Sequence, residues 1–169
     1  MGHDDVFEIL NKPLSQKLMN AAIPARMAYT ARDGSPRAIP IGFHWAGARF
    51  FIATPPIAAK VRALEADPRV ALTIDDTDFP PHILLVRGTA SIEIVDGVPD
   101  EYLIASRRYV GDEGMPAFEQ GVRGLYKQMA LIAITPIWAK LIDFETTLPS
   151  AVEKLIAQQA GGDDDGSDD

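Results

Sequence analysis

The sequence predicts a mainly β, α+β domain: a small antiparallel β-barrel of six strands with four or five helices outside it. Three observations carry this. Runs of branched and aromatic residues recur between turn signals. The first three runs are joined by connections of a few residues, which suit antiparallel neighbours. Helical spacing of apolar residues is confined to the segments before, between and after the strands.

In chain order, a polar helix is expected around Leu14 to Ala22, ended by Ile23-Pro24. Ala25 to Thr30 reads as the first strand. Asp33-Gly34 is a hairpin turn, Arg37 to His44 the return strand, and Trp45 to Ala48 a second tight turn before a third strand, Arg49 to Ala53. Together these read as a three-stranded meander. Pro40 lacks the backbone donor a central strand needs, so its strand belongs at an edge or a bulge. After Pro56, Ile57, Val61 and Leu64 recur at helical spacing, and Asp67-Pro68 stops that helix. Arg69 to Ile74 is the fourth strand and Ile83 to Val95 the fifth, with Gly88 marking a bulge or a close backbone approach. Helices are expected at Pro99 to Tyr109 and Met115 to Lys127. Gln128 to Ile134 and Trp138 to Phe144 form one strand interrupted at Pro136. Thr147 to Gln159 is a last amphipathic helix with Val152, Leu155 and Ile156 facing inward.

With 169 residues, the chain suits one domain, assigned to residues 1–160, followed by an acidic tail at 161–169 expected to be disordered. The net charge is −8, and five of the acids are the tail aspartates Asp163, Asp164, Asp165, Asp168 and Asp169. A mildly acidic body argues against nucleic acid as a partner. Cysteine is absent, so thiolate chemistry, iron–sulfur clusters and disulfides are excluded, and the composition suits a reducing cytoplasm. The N-terminus has no secretory pattern and no apolar run is long enough to span a membrane.

Few motifs speak for a particular chemistry. The dinucleotide and phosphate-loop glycine patterns and the nucleophile elbow are missing, and His3, His44 and His82 are too scattered for a zinc motif. Asp75-Asp76 reads as turn residues. His44 is either a strand-end histidine or a group over a cofactor ring or haem, and His82 is open in the same way. Arg37 either reaches an anion or is an exposed strand charge. Phe43, Trp45, Phe50 and Phe51 read first as core. The sharpest local feature is Thr54-Pro55-Pro56 with Lys60 one helical turn further on. A helix N-terminus offers free N–H groups and partial positive charge, so this spacing suits a phosphate. It is equally the spacing of a helix cap and a solvated lysine.

The ordered set of Ile39-Pro40-Ile41 with Phe43, Trp45, Arg49-Phe50 and Ala53-Thr54, then Lys60-Val61-Arg62 with Leu64 and Asp67-Pro68-Arg69-Val70-Ala71-Leu72, then Val86-Arg87-Gly88 with Ala90, resembles the pyridoxamine 5′-phosphate oxidase-like split-barrel flavoproteins. The likeness runs from Ala25 to Val95, with an echo around Ile132 to Phe144. It implies a six-stranded antiparallel split barrel, a homodimer, and FMN or the deazaflavin coenzyme F420 in a groove at the dimer interface; some members bind haem instead. Carried onto matching positions, Ile39, Pro40 and Ile41 would run beside the flavin ring. Ala53 and Thr54 would reach the cofactor phosphate, with Lys60 as its lysine and Arg62 a second cation. His82 would stand near the opposite wall. The expected activity is hydride transfer to or from a small organic substrate. The acidic C-terminus lacks the basic segment of pyridoxamine phosphate oxidases proper, so a different substrate is expected. FMN is preferred because only Lys60 and Arg62 supply charge between Thr54 and Leu64, whereas the deazaflavin has a phosphodiester and a polyglutamate tail; Arg107, Arg108 or Arg123 would have to help with it. The alternative reading is a non-catalytic flavin or haem binder.

Overall fold

The computed structural model describes residues 2–162; of the expected acidic tail, 163–169 lie outside the described residues. Two helices open the chain, α1 (His3–Leu10) and α2 (Pro13–Asn20). The first was not foreseen. Its signal is present in the sequence: Asp4 and Asp5 sit in the first turn, where they complement the helix dipole, and Val6 and Leu10 are buried one turn apart.

Seven strands follow in one sheet: β1 (Ala25–Thr30), β2 (Pro36–Ile41), β3 (His44–Trp45), β4 (Phe50–Thr54), β5 (Arg69–Asp75), β6 (Ile83–Asp96) and β7 (Gln128–Ile142). Their order across the sheet is β2-β1-β5-β6-β7-β4-β3, and every pairing is antiparallel. The expected six strands are therefore seven, in an open sheet. The extra one arises because the second run breaks at Gly42-Phe43, leaving His44–Trp45 as a separate two-residue strand.

The three-stranded meander is corrected as well. β1 and β2 form the expected hairpin, with Gly34 at a φ of 82° and the Ala31 N–H donating to the Ser35 carbonyl at 2.9 Å. β4 does not pair with β2. It pairs with β7 and with β3, at the opposite end of the sheet. Phe43, fully buried in the core, carries the chain across. β2 is the edge strand that Pro40 called for.

Gly88 behaves as expected. Register shifts between Arg87 and Gly88: Arg87 faces Trp138 and Gly88 faces Pro136, so Ile137 is the unpaired residue. A Cβ at Gly88 would lie 2.7 Å from both the Ile134 side chain and the Thr135 carbonyl, closer than any side chain tolerates. The bulge also lets Pro136 stay within one continuous β7, where two halves were expected.

Four further helices flank the sheet: α3 (Ala59–Ala66), α4 (Asp100–Val110), α5 (Met115–Leu125) and α6 (Ser150–Gly162). The main core joins α1 and α2 to the inner face of the sheet, through Leu10, Leu18, Met27, Phe43, Phe50 and Ile52 among others. A smaller core of Val98, Val122 and Met129, with Tyr102 and Phe118 stacked at 6.1 Å, seats α4 and α5. In α3, Val61 and Leu64 are buried as expected, but Ile57 precedes the helix and is 83% exposed. In α6, Val152, Leu155 and Ile156 are exposed, against the expectation that they face inward. Their spacing makes an apolar stripe that stays open to solvent.

Candidate cofactor site

β4 alternates cleanly. Phe50, Ile52 and Thr54 point into the core, while Phe51 and Ala53 are half-exposed on the other face. Thr54 is thus a hydroxyl at the end of a core-facing row, 5% exposed. The Pro55-Pro56 turn then brings the chain back, and the Lys60 Nζ donates to Thr54 Oγ1 at 3.1 Å. Both halves of the plainer local reading fail. α3 starts after Ala58, which has no side-chain group to cap it, so Thr54 is not the cap. Lys60 is not free in water: it is half-buried, and burial pulls its ammonium below the usual lysine range. Among the described residues no carboxylate pairs with it. An ammonium partly stripped of water, with one hydroxyl as its partner, is suited to receive an anion.

On the other face of β4 lies a cavity of about 400 Å³, within the range of small-molecule sites. Pro40, Ile41 and Gly42 line it from β2 and its exit, and Phe51 and Ala53 from β4. Strands from opposite ends of the sheet therefore face one space, and α4 closes it with Tyr102, Ser106 and Tyr109. Burial pushes both tyrosine hydroxyls up in pKa, so they stay protonated donors at neutral pH. Ser106 spends its hydroxyl on the Tyr102 carbonyl at 2.7 Å. The walls are largely apolar, with the tyrosine hydroxyls and the Glu101 carboxylate as the polar side-chain groups not already spent.

Of the residues expected at the site, the fold brings together Pro40, Ile41 and Ala53 at the cavity and, separately, Thr54 with Lys60 where β4 turns toward α3. Ile39 does not line the cavity: it packs on the main core, as Ile41 also does, with Met27 as its ladder partner. Arg62 is exposed in a second cavity, between α3 and the β1–β2 hairpin. His82 lies in the β5–β6 connection: its backbone N–H donates to Asp76 Oδ1 at 2.9 Å and its Nδ1 is 2.6 Å from Asp76 Oδ2. Asp78 stands 4.0 Å from the same nitrogen. The Asp76 carboxylate thus clamps its own loop, and none of the cavities above includes His82. His44 is half-buried, and burial with the nearby Arg108 charge lowers its pKa, which keeps the imidazole neutral.

The arginines expected to help with a more anionic cofactor are engaged elsewhere. Arg107 pairs with Asp112 at 2.8 Å and Arg123 with Glu119 at 2.8 Å. Arg108 donates to the carbonyls of Met19 and Phe43 and lies over the Phe43 ring at 4.6 Å. Of the aromatic group, Phe43 and Phe50 are core as expected and Phe51 belongs to the cavity. The α4 contribution was missed. Tyr102, Ser106 and Tyr109 recur at i, i+4 and i+7, one face of a helix, which is the signal that marks them.

A family model described as pyridoxamine 5′-phosphate oxidase matches residues 15–140. No curated protein matches the sequence. Among solved structures, one titled F420 reductase is 25% identical with a TM-score of 0.59, covering 74% of this chain and 94% of its own. A conserved hypothetical protein from Mycobacterium tuberculosis is 19% identical with a TM-score of 0.59, covering 88% and 89%. The haem storage protein HutZ from Vibrio cholerae is 18% identical with a TM-score of 0.55, covering 78% and 92%. At those last two identities the likeness concerns the fold.

Proposed function

The chain belongs to the pyridoxamine 5′-phosphate oxidase family, and from that premise we propose that it is a flavin-dependent oxidoreductase, working in the cytoplasm as a homodimer on a small organic substrate. The observation that carries this is the Thr54–Lys60 corner: a half-buried ammonium held by a buried hydroxyl, with no carboxylate paired to it among the described residues. Lys60 and Thr54 would hold the phosphate of FMN, the cofactor of the lead reading. Lys60 uses Thr54 as acceptor, which leaves the threonine hydroxyl hydrogen for a phosphate oxygen. Pro40, Ile41 and Gly42 would run along the ring, and Phe51, Tyr102 and Tyr109 would exclude water and present hydroxyls to ring or substrate. When bound, the flavin supplies hydride transfer. The protein supplies orientation, a charge anchor and a dry wall; no side chain here is assigned a catalytic role.

The deazaflavin is the second reading, favoured by the 25% identity with a protein titled F420 reductase. The experiment is an absorbance spectrum of the purified protein after incubation with FMN or the deazaflavin and removal of free cofactor by gel filtration. Retained FMN supports the lead reading, and retention of the deazaflavin alone reverses the cofactor. A protein that retains neither overturns the oxidoreductase reading, and an intense Soret band after haem addition, lost in His44→Ala or His82→Ala, replaces it with a haem binder.

A further inference from the structure

The cavity bounded by β2, β4 and α4 carries one unpaired charge. Of its lining residues Glu101 alone is charged, in the first turn of α4 and half-buried at the wall. Among the described residues no lysine, arginine or histidine pairs with its carboxylate. The cations of the same helix are spent elsewhere, Arg107 on Asp112 and Arg108 on the carbonyls of Met19 and Phe43. His44 feels the Glu101 charge, but burial first and Arg108 second lower its pKa, so the imidazole stays neutral and supplies no counter-charge. A carboxylate partly withdrawn from water without a partner costs free energy, and a cation in the cavity would offset that cost.

The walls agree in sign. Phe51, Tyr102 and Tyr109 line the space, and the faces of aromatic rings are negative and attract cations. Two of these rings already attract a guanidinium: Arg49 lies over Phe51 at 5.4 Å and Arg108 over Tyr109 at 5.7 Å. Neither arginine lines the cavity, so an anion there would meet the carboxylate with no lining cation to screen it. The plainer role for Glu101 is to complement the dipole at the start of α4. Asp100 occupies the same turn, is exposed and stays off the cavity wall. The dipole explains an acid in that turn, but not an acid facing an aromatic cavity.

We infer that Glu101 selects the ligand of this cavity: a small organic cation with an apolar or aromatic body, of the class of amines protonated at neutral pH. The carboxylate accepts from the ammonium, and the rings and apolar wall hold the body. As a statement of substrate class this rests on the oxidoreductase reading; as a statement of binding it does not.

The test is an NMR titration of the full chain at pH 7 and low salt with benzylamine, benzyl alcohol and benzoate, which share a ring and differ in charge. The amide shifts of Gly42, Ala53 and Ser106 report on the cavity wall. Wild type, Glu101→Gln and Asp100→Asn are compared, without and with saturating FMN. Wild type should bind benzylamine at least about fivefold more tightly than benzyl alcohol, with benzoate weakest. Glu101→Gln should bring benzylamine and benzyl alcohol within about twofold of each other, while Asp100→Asn, which removes the same charge one residue away, keeps the preference. A loss of stability would weaken all three probes together and cannot imitate a lost preference. The inference is overturned if no probe shifts these amides, if the preference survives in Glu101→Gln, or if Asp100→Asn loses it equally. It is overturned as well if FMN displaces benzylamine, which would make this wall part of the cofactor's own groove. If FMN is not retained and the benzylamine preference is intact, the oxidoreductase reading fails and the cation site stands.

Discussion

Lys60 and Arg108 are both cations drawn out of water, and they meet opposite fates. Arg108 reaches back from α4 to the carbonyls of Met19 and Phe43 and rests on the Phe43 ring. It thereby ties α2, the β2–β3 passage and α4 together through backbone carbonyls. Among the described residues, Lys60 has one neutral hydroxyl as its partner. A withdrawn cation whose donors are all satisfied acts as a structural tie. One left with spare donors is a cost to the fold, and a bound anion would be what offsets that cost.

The contrast has its largest consequence in stability. Arg108→Ala leaves two backbone carbonyls without their donor and removes a ring contact. It should lower unfolding stability by about 2–4 kcal/mol, read from the denaturant midpoint, with or without cofactor. A change below about 0.5 kcal/mol would show that Arg108 is solvated in solution and would remove one side of the contrast. Lys60→Ala should do the reverse. Its effect falls on cofactor affinity, weakened by about 1–3 kcal/mol as for a charge-assisted hydrogen bond, with the fold intact. Equal affinity in variant and wild type would remove Lys60 from the site.

Thr54→Val keeps shape and removes the hydroxyl. If the hydroxyl both positions Lys60 and donates to the phosphate, affinity should drop by about 1 kcal/mol, measured by fluorescence quenching of the flavin. If Thr54 only fills the core, its replacement leaves affinity unchanged and shifts the thermal midpoint alone.

Much of this was legible in the sequence where the signal is local. Asp33-Gly34 determines its hairpin because only a turn tolerates that backbone. Pro40 announces an edge strand, and Asp67-Pro68 ends α3. Gly88 marks the bulge because a side chain there would strike Ile134 and Thr135. What failed was non-local. β4 looks ready to continue a meander, and nothing in its own residues says that it pairs with β7 across the sheet. The stripe Val152, Leu155 and Ile156 shows an apolar face but not what lies opposite it. At the site, the Thr54–Lys60 spacing is visible along the chain, whereas the α4 tyrosines share a cavity with Phe51 and Ala53 only once α4 is folded beside β4. Ile39 and Ile41 both pack on the main core, and only the folded edge of β2 shows that Ile41 also lines the cavity.

The smallest effect concerns the cofactor-free protein. Burial holds the Lys60 ammonium below the usual lysine range, so the unfolded chain binds that proton more firmly than the folded one. Below the folded pKa both states are protonated and the folded state bears the full desolvation penalty. As pH rises through the folded value toward the unfolded value near 10.4, the folded state sheds the proton first and the penalty fades. Lys60→Met keeps the stem and removes the charge. Without cofactor it should therefore be more stable than wild type at pH 7, by less than about 1 kcal/mol given the solvent screening at a half-exposed group, and the gap should close by about pH 10. Paired thermal melts at the two pH values measure it. A variant less stable than wild type at pH 7 would mean that the Thr54 bond outweighs desolvation, making Lys60 a tie of the same kind as Arg108. A gain in stability coupled with a loss of cofactor affinity is the outcome that a binding lysine requires and a structural one forbids.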